Sequence, residues 1–176
     1  MIHVCSLAKL HETVAATGAR HVISLINGDT VFTRPSNVDP TNHLFLGLND
    51  IVEEMAGMVV PAEHHMHELF DFVHGWPRQT PLVIHCFAGI SRSTAAAYAA
   101  LCALLPDENE VELARRLRRA SPTATPNPRI VALADAALGR QGRMVAAIST
   151  IGRGRDAFEG EPFCLPVSAG ERAARL

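Results

Sequence analysis

Pro81-Leu82-Val83-Ile84-His85-Cys86-Phe87-Ala88-Gly89-Ile90-Ser91-Arg92-Ser93 is the stretch on which the reading of this chain turns. An apolar run leads into it and an alanine-rich segment, 94–105, follows at once. That order reads as a buried strand, a tight loop and the start of a helix. Gly89 permits a sharp turn with several N–H groups pointing inward, the nest geometry that binds anions. Donors at a helix N-terminus favour negative charge, the thiolate form of a nearby Cys included. Arg92 adds a planar, permanently charged fork that matches two oxygens of a phosphate. Ser93 adds a hydroxyl within reach of the sulfur. The set implies a nucleophile, Cys86, in an anion cradle, and points to cleavage of a phosphate ester. The plainer reading is a buried structural Cys with Arg92 in a surface ion pair, and it leaves the coincidence of Gly89, Arg92, Ser93 and a helix start unexplained.

Working outward toward the N-terminus, residues 2–7 read as a strand and 8–17 as a helix carrying Leu10 and Val14 at helical spacing. Residues 20–26 read as a second strand, and short links between these elements imply a parallel pair with a right-handed crossover. Asn27-Gly28-Asp29 is a turn, 34–42 a loop with Pro35 and Pro40, and 43–48 a third strand. Asn49 and Asp50 come directly after that strand, where open α/β sheets carry functional groups. Residues 51–60 read as partly helical, and 61–73 as a clearer helix closed by Gly75, Trp76 and Pro77. Beyond the central stretch, Pro106 stops the alanine-rich helix and Asp107 is the expected cap of an amphipathic helix to about residue 119. A proline-rich loop spans 121–128, a helix is expected over 129–138 with 140–151 either continuing it or forming a separate one, and from Gly152 the pattern fades. The fold class read from this order is α/β, a mostly parallel central sheet of about four to five strands flanked by helices on both faces. The expected organisation is one domain over 1–152, with the tail 153–176 packed on it.

The chain has 176 residues, enough for a substantial core, and 48% of them are apolar against 19% charged, which excludes a disordered chain. One Trp and one Tyr leave that core to Ala, Leu, Val and Ile. A net charge of −2 without a basic block argues against nucleic acid or an anionic membrane surface as partner. No apolar run reaches the roughly 20 residues that cross a bilayer. The first residues, Met1-Ile2-His3-Val4, read as a strand and not as an export signal. The four cysteines lie far apart without metal-site spacing, as expected of free thiols in a cytoplasmic protein.

The segment HCFAGISRS resembles the signature loop of the cysteine-dependent protein tyrosine phosphatases, most closely the dual-specificity type. The resemblance is strong over 82–93 and extends by pattern over about 2–138. It implies the tyrosine-phosphatase fold and a phosphoric monoester hydrolase, with Cys86 attacking phosphorus to form a phosphocysteine. Arg92 and the backbone N–H groups of Phe87, Ala88, Gly89, Ile90, Ser91 and Arg92 would hold the phosphate oxygens. Ser93 would help the thiolate leave, and His85 would orient the loop and help keep Cys86 ionised by hydrogen bonding. The leaving oxygen needs a proton, and Asp50 occupies the place of the family's acid, with Asp39 as fallback. Pro126-Asn127 matches a Pro-Asn pair of the family, which implies that the Asn127 side chain supports the catalytic loop.

The resemblance needs neither metal nor cofactor, and around the histidine run His64, His65 and His67, with His74, no Cys or carboxylate constellation has the spacing that completes a metal site. Trp76-Pro77 invites comparison with the acid loop of the larger tyrosine-specific enzymes, but Arg78 stands where the acid would be. The expected substrate is a phosphorylated protein, phosphotyrosine by default. A small phosphate ester such as an inositol phosphate or nucleotide is the alternative, weakened because the loop carries no Lys. Sulfur transfer of the rhodanese kind and a phosphate-binding module without catalysis are the remaining readings.

Overall fold

The computed structural model describes residues 1–168. Five strands form one sheet in the order β3-β2-β4-β1-β5, with β1 at Ile2–Ser6, β2 at His21–Ile26, β3 at His43–Gly47, β4 at Leu82–Cys86 and β5 at Phe163–Leu165. The first four are mutually parallel and β5 runs antiparallel along β1. All five residues of β4 are buried, which is why this strand reads as a continuous apolar run and not as an alternation. The sheet is mixed and mostly parallel, as the order of elements predicts.

Helices cover both faces. On one, α1 (Leu10–Thr17) packs Leu10 and Val14 against Cys5, Val22 and Val83. On the other lie α2 (Glu63–Gly75), α3 (Arg92–Leu104), α4 (Glu110–Ala120), α5 (Pro128–Ala137) and α6 (Arg143–Ile151). The central helix, α3, buries Ala95, Ala96, Ala97, Ala99 and Ala100 completely. Their small side chains let it lie close to β1, β4 and the surrounding helices. Its single large aromatic, Tyr98, is buried too and donates its hydroxyl to the Glu110 carbonyl at 3.1 Å. No helix among the described residues is long and apolar enough to cross a membrane.

Two local expectations are corrected, and one that the sequence leaves open is decided. Residues 51–60 are not helical. Asn49 closes the segment as a loop, its N–H donating to Val59 O and its side-chain oxygen accepting from Val59 N–H, both at 2.8 Å. Val52, Met55, Met58 and Val59 are exposed, so no core stabilises a helix there. The cap of α4 is Asn109 and not Asp107, because the Asn109 side chain accepts from Val111 N–H at 2.9 Å and reaches the Glu112 N–H. Residues 140–151 do not extend α5: both carboxylate oxygens of Asp135 turn back to accept from Gly142 and Met144 N–H, which starts α6 as a separate helix. The segment 158–167, to which the sequence pattern assigns no place, contains β5 and forms the edge of the sheet.

Candidate active site

The four parallel strands all end at one side of the sheet, and the segments leaving their C-terminal ends meet there. The loop 87–91 leaves β4, Asn27 comes after β2, Asp50 lies just past β3, and Leu7 comes after β1. Leu7 N–H donates to Phe87 O at 3.1 Å, Gly160 N–H to Ala88 O at 2.9 Å, Thr125 N–H to Ile90 O at 2.9 Å and Asn127 N–H to Ser91 O at 3.3 Å. The loop's carbonyls are thus held outward by separate segments of the chain. In a trans peptide the N–H points opposite to its carbonyl, so the N–H groups of Ala88, Gly89, Ser91 and Arg92 turn inward. Gly89 shows this directly, donating to Cys86 Sγ at 3.2 Å. Its φ of 72° and a Cβ position only 2.8 Å from the backbone of Cys5 and Ser6 admit no side chain there.

Cys86 is buried, and its sulfur also lies 3.1 Å from Ser93 Oγ in the first turn of α3. Arg92 is 6% exposed. Its Nη1 donates to Leu48 O at 2.8 Å and to Asn27 Oδ1 at 2.9 Å, which bolts the guanidinium to the ends of β3 and β2. Its Nε is buried with no hydrogen-bond partner among the described residues. A buried cationic donor left unpaired is costly, and this one borders a cleft of about 380 Å³ lined by Asn27, Asp50, Met58 and Phe87.

Asp50 stands across that cleft. Its Oδ1 accepts from Ser91 Oγ at 2.7 Å and from Asn127 Nδ2 at 2.8 Å, and its Oδ2 lies 3.9 Å from Arg92 Nε. The Asn127 side chain donates to Asp50 Oδ1 and, at 3.4 Å, to Ile51 O, and so meets the loop through the Asp50–Ser91 contact, while its backbone N–H donates to Ser91 O directly. Its Oδ1 caps α5, accepting from Arg129 N–H at 3.0 Å and Ile130 N–H at 3.1 Å. Asp39 is not part of the cluster; its carboxylate caps the short helix Pro40–Asn42 through Thr41.

His85 points away from the sulfur, as alternation along β4 requires. Its Nε2 is 2.6 Å from Ser24 Oγ, which is 2.8 Å from His43 Nε2, and Phe32 packs edge-on against both rings. Burial pushes His85 down to about 4, with His43 and Arg92 acting in the same direction, so the ring is neutral. Any influence of His85 on Cys86 passes through the backbone. Of the histidine run, His65 is buried and its Nδ1 accepts from Ala62 N–H at 3.0 Å, while His67 pairs with Glu63.

Sequence reasoning missed Asn27, Ser24, His43 and the tail. Asn27 reads as a turn residue, and nothing local marks it as a guanidinium acceptor. Ser24 is placed by its register opposite His85. In the tail, Ser6 Oγ donates to the Glu159 carboxylate, and Gly160 packs on the signature loop so closely that a Cβ would stand 2.9 Å from Gly89 O.

Solved structures share this architecture. A structure of DUSP15 superposes with a TM-score of 0.62 at 19% identity, covering 85% of this chain and 89% of that one. The PTP-2 phosphatase of Cydia pomonella gives 0.60 at 18% identity, covering 77% and 84%. PTPMT1 in complex with PI(5)P gives 0.59 at 15% identity, covering 85% and 94%. At such identities the likeness establishes the fold, that of the tyrosine and dual-specificity phosphatases. No protein-family model matches the sequence, and no curated protein matches it.

Proposed function

We propose that this protein is a phosphomonoester hydrolase working through a phosphocysteine intermediate. The observation that carries the reading is the cradle itself: a loop whose carbonyls are drawn outward, a Cys at its centre, and a buried Arg with an unpaired Nε beside it. The Cys86 thiolate, stabilised by the Gly89 N–H, forms a bond to phosphorus as the ester oxygen departs. Inward N–H groups and the Arg92 guanidinium hold the oxygens of the transferring phosphoryl group, where preorganised donors act most strongly. Asp50 supplies the proton to the departing oxygen. Two donors pin its Oδ1, so Oδ2 is the atom that carries the proton. Water then attacks phosphorus and gives a proton to the Asp50 carboxylate, the S–P bond breaks, and Ser93 Oγ, 3.1 Å from the sulfur, stabilises the thiolate as it leaves. Sulfur transfer would have no use for the Asp50 and Ser93 that the fold brings to this loop.

The substrate class is a phosphorylated protein or a small phosphate ester, with no metal or cofactor required of the residues that do the work. No disulfide joins the four cysteines, all of which lie among the described residues, and reduced thiols suit a cytoplasmic setting. Phosphate release from an aryl phosphate by the purified chain tests the reading, with Cys86→Ser as control. Wild-type release and a loss of about 1000-fold or more in Cys86→Ser are expected, since removing a nucleophile costs on that order. Comparable release by Cys86→Ser would remove Cys86 from the mechanism.

A further inference from the structure

The rim of the candidate site carries a charge pattern that the phosphate chemistry does not require. Three adjoining clefts meet there. The central one holds Arg92 and shares Asp50 and Ile51 with a second, lined also by Glu53, Glu54 and Met55. It shares Phe87 with a third, lined also by Leu7, Phe158 and Glu159. Arg92 is the single cation among all these lining residues, against four carboxylates. Two further cations lie nearby: Lys9 is offset by Glu12, while Arg129, bonded to carbonyl oxygens, keeps its charge and still leaves the rim net negative. Arg129 donates to Pro61 O at 2.7 Å and Val52 O at 3.1 Å, under the loop 51–60, and Lys9 pairs with Glu12 at 3.1 Å. Glu53 and Glu54 are exposed and enter no ion pair among the described residues. Between the carboxylates the rim is apolar: Met55 and Met58 are about half exposed, Phe87 is 66% exposed and Phe158 fully so.

We infer that the site selects phosphorylated peptide segments in which Lys or Arg flank the phosphorylated residue; this rests on the phosphatase reading above. One phosphoryl group satisfies Arg92 and the inward N–H groups. A second phosphate on the same molecule that reached the adjoining cleft would meet Asp50, Glu53 and Glu54, and charges act over roughly 8 Å at physiological salt. Polyanionic ligands are therefore disfavoured. Cationic flanks gain from the same carboxylates, while the exposed Met and Phe side chains offer contact to the apolar stems of Lys and Arg. The loop that carries Glu53 and Glu54 begins at the candidate acid, so the selecting charges and the chemistry share one support.

The test is initial-rate kinetics on the full chain with three phosphotyrosine peptides of equal length, carrying Lys/Arg, Ala or Glu flanks. An aryl phosphate and phosphatidylcholine vesicles containing phosphatidylinositol monophosphate are assayed beside them. At low salt, kcat/KM should favour the basic over the acidic peptide by about tenfold, the sum of two or three exposed charge pairs, and the gap should shrink as salt rises. The double variant Glu53→Lys, Glu54→Lys should reverse the order of the peptides, each rate being taken relative to that of the aryl phosphate measured with the same protein. Flank-independent rates, an order unchanged in the double variant, or faster turnover of the vesicles than of the basic peptide would each overturn the inference while leaving the phosphatase reading standing. No release even from the aryl phosphate would overturn that reading and the inference with it.

Discussion

Arg92 and Asp50 divide the labour of one cleft through their hydrogen bonds. Burying a guanidinium is tolerable only where acceptors are supplied, and Asn27 and Leu48 supply them on one side of the group alone. In the proposed reaction the other side keeps its donor for the phosphoryl oxygens. Asp50 is held in the same one-sided manner, through Oδ1. Asp50→Asn should therefore keep the geometry and lose the proton. Turnover of substrates with poor leaving groups should fall about 100-fold, a typical general-acid contribution, while activated aryl phosphates change little. An equal fall for both, measured across a leaving-group series, would assign the acid elsewhere. His85 gives a residue-scale prediction about stability. Its folded pKa, about 4, lies below the unfolded value near 6.5, so the neutral ring contributes stability that is present above pH 6.5 and lost as pH falls toward 4. The span corresponds to about 3 kcal/mol as an order of magnitude. Denaturant unfolding of wild type should weaken across that window, and His85→Gln should flatten the dependence; parallel curves would contradict this.

At the scale of elements, the signature loop is shaped by supports that come from distant parts of the chain. Leu7 after β1, Thr125 and Asn127 before α5, and Gly160 before β5 each donate to one loop carbonyl. The tail is the least expected of these. β5 fastens it to the sheet edge, Glu159 is tied to Ser6, and Gly160 rests against Gly89. A side chain at position 160 must push the tail or the loop away, an overpacking cost of about 1–3 kcal/mol. Gly160→Val should lower kcat for an aryl phosphate by about tenfold or more, consistent with loss of loop preorganisation, with circular dichroism near wild type and stability reduced by no more than that cost. Unchanged kcat in a folded Gly160→Val protein would show that the tail does not position the loop. The loop 51–60 is an element of a different kind. A helix there needs a receiving apolar surface, and the Asn49–Val59 pairing closes the segment before any such surface is reached.

At the scale of the whole molecule, the strand order puts β4 at the centre, between β2 and β1, so Cys86, the proposed nucleophile, sits where the ends of four parallel strands converge. The parts legible in the sequence are those that lie within one stretch. Cys86, Gly89, Arg92 and Ser93 share a strand–loop–helix unit, and Asp50 comes after an apolar run that could only be a strand. The parts hidden from it depend on register or closure. Ser24 meets His85 because β2 and β4 pair in that register, Asn27 meets Arg92 across the sheet, and Gly160 reaches the loop only once the tail has folded back. No periodicity or spacing encodes those meetings. The central claim, that this convergence makes Cys86 a covalent catalyst, is tested most directly by acid-quenching the enzyme during turnover of an aryl phosphate and mapping phosphate by peptide mass spectrometry. One phosphoryl group is expected on the peptide containing Cys86, accumulating further in Ser93→Ala because thiolate departure is slowed. Active turnover with phosphate on another residue, or with none on Cys86 in either protein, would contradict that claim.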